Sequence, residues 1–166
     1  MIPGTLDATL FRSVLGHYPT GVALVTSAGE PPAGMVVGTF TSVSLDPPLV
    51  GFLPSKASTS WPRIRAGGSF CVNVLGADQR EVCLAFTSRD TTRWEVPHHP
   101  APSGAPALSG AIAWIDCDLA DETEAGDHWF VTGHVRRFQV QHEGEPLLFL
   151  RGEFGAFAPC PAPVLD

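Results

Sequence analysis

The chain holds a single lysine, Lys56. With nine arginines it sets 10 basic side chains against 17 acidic ones, a net charge of −7. A field of that sign repels nucleic acid and anionic membranes, so neither is an expected partner, and a phosphorylated ligand needs a local positive group. Charged residues make up only 16% of the chain and apolar ones 44%, too much apolar surface for a disordered segment. The four cysteines, Cys71, Cys83, Cys117 and Cys160, form no C-x-x-C pair and no framework spacing. No disulfide scaffold or metal site is expected, and the thiols read as small apolar core residues in a reducing compartment. The adjacent His98 and His99 sit in a proline-rich stretch with no second pair at ligand spacing. No apolar run approaches membrane-spanning length, and Met1 to Asp7 lacks the basic start and apolar core of a signal peptide, so a soluble cytoplasmic protein is expected. Dinucleotide-fold, phosphate-loop and hydrolase-elbow motifs are all missing.

What is present is punctuation: 17 glycines and 16 prolines in 166 residues. That length suits one domain able to bury roughly 70% of its unfolded surface, and the punctuation favours many short strands over a helical bundle. Leu6, Leu10, Phe11, Val14, Leu15 and Tyr18 recur at helical spacing until Gly16 and Pro19 stop the pattern, which predicts an opening amphipathic helix. Strands are predicted at 21–27, 34–45, 49–53, 70–75, 112–124, 128–141 and 146–151, with short helices from Ser60, as cap, to Ala66 and from Asp78, boxed with Glu81, through Phe86. Residues 87–110 read as a long loop, and the tail from Ala158, with three prolines in nine residues, as loose. Strands without a regular βαβ alternation predict a mainly β, mostly antiparallel barrel with peripheral helices.

Four segments carry candidate chemistry. Gly34 to Leu49 combines two glycines, four hydroxyl side chains and an apolar alternation that stops at Asp46-Pro47-Pro48. Gly38, without a side chain, lets another group approach the main chain, so the segment reads as a strand edge for a flat, polar-rimmed ligand; a bulge or barrel corner satisfies the same pattern. Pro54 to Pro62 sets four hydroxyls and Lys56 ahead of a helix start, suited to an anion such as phosphate or to an ordinary cap. Ala125-Gly126-Asp127-His128 is a hairpin that aims His128 from a strand start, at a ligand or at solvent. Arg89, Arg93 and Trp94 follow a helix and either cover a phosphate or a stacked ring, or anchor a loop.

In this order, Phe11 to Gly16, Pro19 to Val22, Ser42 to Val50, Phe70 to Leu75, Ala125 to His128 and Pro146 to Phe149 together resemble the flavin reductase family. The likeness runs from about residue 7 to 157 and is nearest to the reductase components of two-component flavin-dependent monooxygenases. The resemblance implies a split β-barrel homodimer binding FMN or FAD at the subunit interface, with NADH or NADPH as hydride donor and a separate oxygenase as partner. By position it places Met35, Val36, Val37, Gly38, Thr39 and Phe40 along the isoalloxazine ring. Ser55, Lys56, Ser58 and Thr59 fall at the ribityl chain and phosphate, Arg89, Arg93 and Trp94 at the later basic-aromatic element, and His128 near the nicotinamide as the catalytic candidate. The family often carries Thr or Ser where this chain has Val36 and Gly38, and Phe where it has Trp94. The implied activity is NAD(P)H:flavin oxidoreduction. Its rivals are a flavin-retaining enzyme with its own organic substrate and a non-catalytic binder of flavin or haem.

Overall fold

Residues 7–161 are described by the computed structural model. The chain enters through α1 (Ala8–Leu15), capped by Asp7 Oδ1, which accepts from Thr9 and Leu10 N–H. It continues through β1 (Thr20–Gly21), β2 (Ala23–Ser27), β3 (Ala33–Val37), β4 (Thr41–Leu45) and β5 (Pro48–Phe52). Next come α2 (Trp61–Gly67), β6 (Ser69–Val74), α3 (Arg80–Ser88), β7 (His98–Pro100) and β8 (Pro106–Leu108). The long strands β9 (Ala113–Ala125) and β10 (His128–Val140) precede β11 (Leu147–Leu150) and β12 (Glu153–Ala156). No helix among the described residues is long and apolar enough to cross a membrane.

Seven strands form one antiparallel sheet in the order β3-β2-β6-β9-β10-β5-β4. Its two edge strands, β3 and β4, are joined by only Gly38, Thr39 and Phe40. Laid flat, six interstrand steps separate the edges by about 29 Å, whereas the link from Val37 to Thr41 spans at most about 14 Å. The sheet must therefore curl until its edges nearly meet. They do not pair, and the result is a split barrel, the mainly β, antiparallel architecture expected from the sequence. β1, β11 and β12 form a separate small sheet, and β7 and β8 a hairpin.

Strand alternation sorts the core into layers. Val25, Phe52, Phe70, Val72 and Val131 fill the barrel interior, which Trp61 and Ile64 of α2 complete. Leu24, Leu75, Cys83, Phe86 and Leu108 form a second cluster that includes the buried face of α3. Asn73, fully buried, ties strands to the hairpin: its amide donates to Leu24 O and Pro106 O while its Oδ1 accepts from Leu108 N–H at 2.7 Å.

Several sequence expectations shift. The segment 34–45 is two strands on opposite edges of the sheet. The stretch 87–110 contains a 3-10 turn at Arg93–Glu95 and the β7–β8 hairpin. Ser60 makes no capping bond; Ser58 Oγ accepts from Trp61 N–H instead. The predicted Asp78–Glu81 box is replaced by Gln79 Oε1 accepting from Gly76 N–H. Cys71, Cys83 and Cys117 are buried as expected, but Cys160 is exposed. The expectations for Leu6 and for residues 162–166 of the tail fall outside the described residues.

Candidate functional site

Three of the four sequence segments converge at the open side of the barrel. β3 is paired along its whole length with β2 on one side and with nothing on the other, so its outer edge presents main-chain N–H and C=O groups. Past its end the Gly38–Phe40 link is fastened to the next segment, because Thr39 Oγ1 accepts from Leu53 N–H at 2.9 Å. That segment in turn meets the β9–β10 hairpin. Pro54 O accepts from Trp129 N–H and Asp127 O from Lys56 N–H, both at 2.9 Å, and Ser55 bridges His128. A pleated strand cannot lay all six residues 35–40 against one ring. Val37 is buried in the barrel with Met35 packed against it, and Val36 faces the α3 cluster. Gly38 and Thr39 are exposed and Phe40 half-buried.

Gly38 has a specific neighbour. A side chain there would place its Cβ 2.9 Å from Thr20 Oγ1, so the Thr20 hydroxyl lies in the space that residue 38 leaves free. Thr20 and Gly38 together line two cavities beside the link. One, about 200 Å³ and mainly apolar, is bounded by Val36, Cys83, Thr87 and Phe149; the other, about 230 Å³, by Tyr18, Thr39 and Phe40. The residue-by-residue reading missed Thr20. The adjoining Gly21 and the Pro19-Thr20-Gly21 run were its only signals.

The hairpin tip turns at Gly126, whose φ of +64° is the left-handed conformation that glycine adopts without strain. His128 Nδ1 lies 2.7 Å from Asp127 Oδ1. A carboxylate only accepts, so Nδ1 donates and Nε2 is the ring nitrogen left for a ligand. The bond to His128 holds the Asp127 carboxyl below its ordinary value, and the charges of His128 and Arg12 add to the effect. Asp127 is the second residue that sequence reading left without a role.

Ser55 Oγ accepts from Ala57 N–H and Ser58 Oγ from Trp61 N–H, while Thr59 is exposed. Lys56 Nζ lies 3.5 Å from Glu124 Oε2 and 5.0 Å from the centroid of the Trp129 ring. The fourth segment packs elsewhere. Trp94 meets Phe86 edge-on at 4.8 Å and crowds Gly34, where an added Cβ would stand 3.2 Å from the indole. Arg93 donates to Asp90 O at 2.7 Å, and Arg89 is exposed at the left-handed C-cap of α3. Among the described residues no group of three or more His, Cys, Asp or Glu is placed to hold a metal ion.

Residues 15–158 match the Flavin reductase like domain. The chain belongs to this family. It is 50% identical over 162 residues to a flavin reductase from Pseudomonas putida, covering 95% of each chain. It is 40% identical to the flavin-dependent monooxygenase reductase subunit HsaB of Rhodococcus jostii, over 97% of this chain and 85% of that one. Among solved structures, the NADH:FAD oxidoreductase SgcE6 of Streptomyces globisporus C-1027, in complex with NAD and FAD fragments, superposes with a TM-score of 0.87 at 37% identity, covering 92% of this chain and 94% of that one. The flavin reductase-like fold thus accounts for the split barrel and for the order of the motifs along it.

Proposed function

We propose that the chain is an NAD(P)H:flavin oxidoreductase that reduces FMN or FAD and supplies the reduced flavin to a separate monooxygenase. The observation that carries this reading is the convergence of the Gly38–Phe40 link, the 54–59 turn and His128 on one open side of the barrel. The residues fit a flat tricycle with a polar rim and a charged tail: an unpaired strand edge, a link with no side chain at Gly38, and hydroxyls at Ser55, Ser58 and Thr59. When bound together, nicotinamide and flavin supply the chemistry themselves, a hydride passing to flavin N5.

The protein's share is placement. The exposed N–H groups of the link stabilise negative charge that develops on a polar ring edge, at no cost of reorganisation because Thr39 already fixes the link to Leu53. His128, oriented through Nδ1 by Asp127, offers Nε2 to a carboxamide and so holds the nicotinamide in place. No acid–base pair is required for hydride transfer, which agrees with a site whose exposed acid, Asp127, is engaged with its neighbouring imidazole. NADH is the expected donor, since Lys56, beside His128, is paired with Glu124 and not free for a 2′-phosphate.

The working form in this reading is a homodimer. α1 buries none of its residues, leaving Leu10, Phe11, Val14 and Leu15 each more than half exposed, together with Phe138 and Val140 of β10. A helix with an apolar stripe facing water is incomplete without a partner. The activity is tested by stopped-flow absorbance at about 450 nm, a wavelength set by the flavin, with FMN or FAD and with NADH or NADPH. Bleaching that saturates with NADH supports the reading. No bleaching with any of the four combinations refutes it.

A further inference from the structure

We infer that Lys56 is a positioning residue, a clasp that fixes the His128 hairpin against the ligand turn, and that its ammonium is not a phosphate ligand. The inference rests on the reductase reading above. Between its tip and Asp118, the β9–β10 hairpin outruns its flanking strands: β6 pairs β9 only as far as Ser69 with Asp118, and β5 pairs β10 only as far as Phe52 with Val131. The outer rungs, from Phe130 with Thr123 to His128 with Ala125, lie beyond both flanking strands and form a two-stranded ribbon. Such a ribbon twists freely and is marginally stable unless something fastens it.

Two fastenings are visible. Near the base, Glu122 accepts from Trp61 Nε1 at 2.9 Å and pairs with Arg65 at 3.3 Å. At the tip, the 54–56 turn makes its two backbone bonds to Trp129 and Asp127, and Lys56 adds a side-chain contact that spans both strands. Glu124 and Trp129 are direct register partners across the ribbon, and the one ammonium sits 3.5 Å from the carboxylate of the first and over the ring of the second. A cation so placed resists twisting of the rung next to His128. It is also already charge-compensated, which leaves Ser55, Ser58 and Thr59 to receive a phosphate.

The test compares purified full-length Lys56→Gln, Lys56→Arg and Glu124→Gln with the unmodified protein. The readouts are steady-state kinetics, FMN and riboflavin affinity by fluorescence quenching, and amide hydrogen exchange. One half-exposed ion pair and one cation–π contact together correspond to a change of roughly threefold to tenfold. K56Q and E124Q are each expected to raise the KM for NADH by about that factor and to speed exchange at the Trp129 amide, with FMN affinity within twofold of the original. K56R restores both. If K56Q weakens FMN but not riboflavin and leaves the NADH KM unchanged, Lys56 is a phosphate ligand and the inference is overturned. Unchanged exchange at Trp129 in both K56Q and E124Q overturns it as well. An unmodified protein that never bleaches flavin defeats the reductase reading alone, and the exchange data still decide the clasp.

Discussion

Replacing Gly38 with alanine tests how the link between the barrel edges is built. The new Cβ stands 2.9 Å from Thr20 Oγ1 and 3.5 Å from Thr20 Cβ. The first distance is a clash and the second an ordinary contact, so the whole penalty comes from one hydroxyl. Thr20 sits in β1, whose pairing with Phe149 holds its backbone, and its β-branched side chain has few alternative rotamers to escape into. The cost of overpacking is about 1–3 kcal/mol. Thr20→Ala removes that oxygen, so the double variant should regain most of this loss, a coupling energy of the same size with opposite sign. Stability is read from urea unfolding of all four proteins and ligand affinity from quenching of flavin fluorescence. In the Thr20 background Gly38→Ala should also weaken flavin binding, because the displaced hydroxyl intrudes on the cavities that flank the link. An equal destabilisation by Gly38→Ala in both backgrounds would refute the reasoning, since the cost would then lie in the backbone and not in the Thr20 contact.

Other consequences follow from the same geometry. His128→Ala should lower kcat/KM for NADH by roughly tenfold to a hundredfold through lost positioning; because the side chain is 39% exposed, thermal unfolding should stay where it was, and unchanged NADH kinetics would remove His128 from the site. Val14→Asp puts a charge on the open stripe of α1, at a position 62% exposed, and should convert a dimer to a monomer in sedimentation velocity. A native chain already monomeric at micromolar concentration would contradict the proposed assembly. Burial, reinforced by the Asp116 charge, pushes the Cys117 thiol up to about 12 and raises Cys71 as well. Unfolded, both ionise near 9.0, so above that pH the unfolded state binds fewer protons than the folded one and stability falls between 9 and 12. The loss is up to about 1.4 kcal/mol per pH unit for each thiol. Urea midpoints that stay level from pH 8 to 10.5 would show that these thiols are not protected by the fold.

The architecture was legible because strand and turn signals are local. Gly67-Gly68, Gly126 and the Asp46-Pro47-Pro48 stop each end an element near where composition predicts. The alternation from Gly34 to Leu45 reads as one strand because period two persists across Gly38. Nothing local reveals that the chain there leaves one edge of a curled sheet for the other. β7 and β8 escaped notice because their partners are each other and the outer faces of Cys71 and Trp114, in a stretch dominated by proline. Ser60 holds the N-cap position of α2 as expected, but the side-chain bond comes from two residues earlier for a similar reason: Ser55, Ser58, Thr59 and Ser60 are equivalent in sequence, and only the path of the backbone turns Ser58 towards Trp61 N–H. For the site, the segments were legible and their internal division was not. Which of residues 35–40 face a ligand depends on the pleat, and the partners of Gly38 and Lys56, namely Thr20, Glu124 and Trp129, are distant in sequence.

The most direct test of the central claim is a crystal structure of the chain grown with excess FMN. The account predicts the isoalloxazine against the main chain of Gly38 to Phe40, its phosphate among Ser55, Ser58 and Thr59, and His128 Nε2 facing the ring. A groove closed by the protein's own side chains, or FMN bound away from the link, would contradict it.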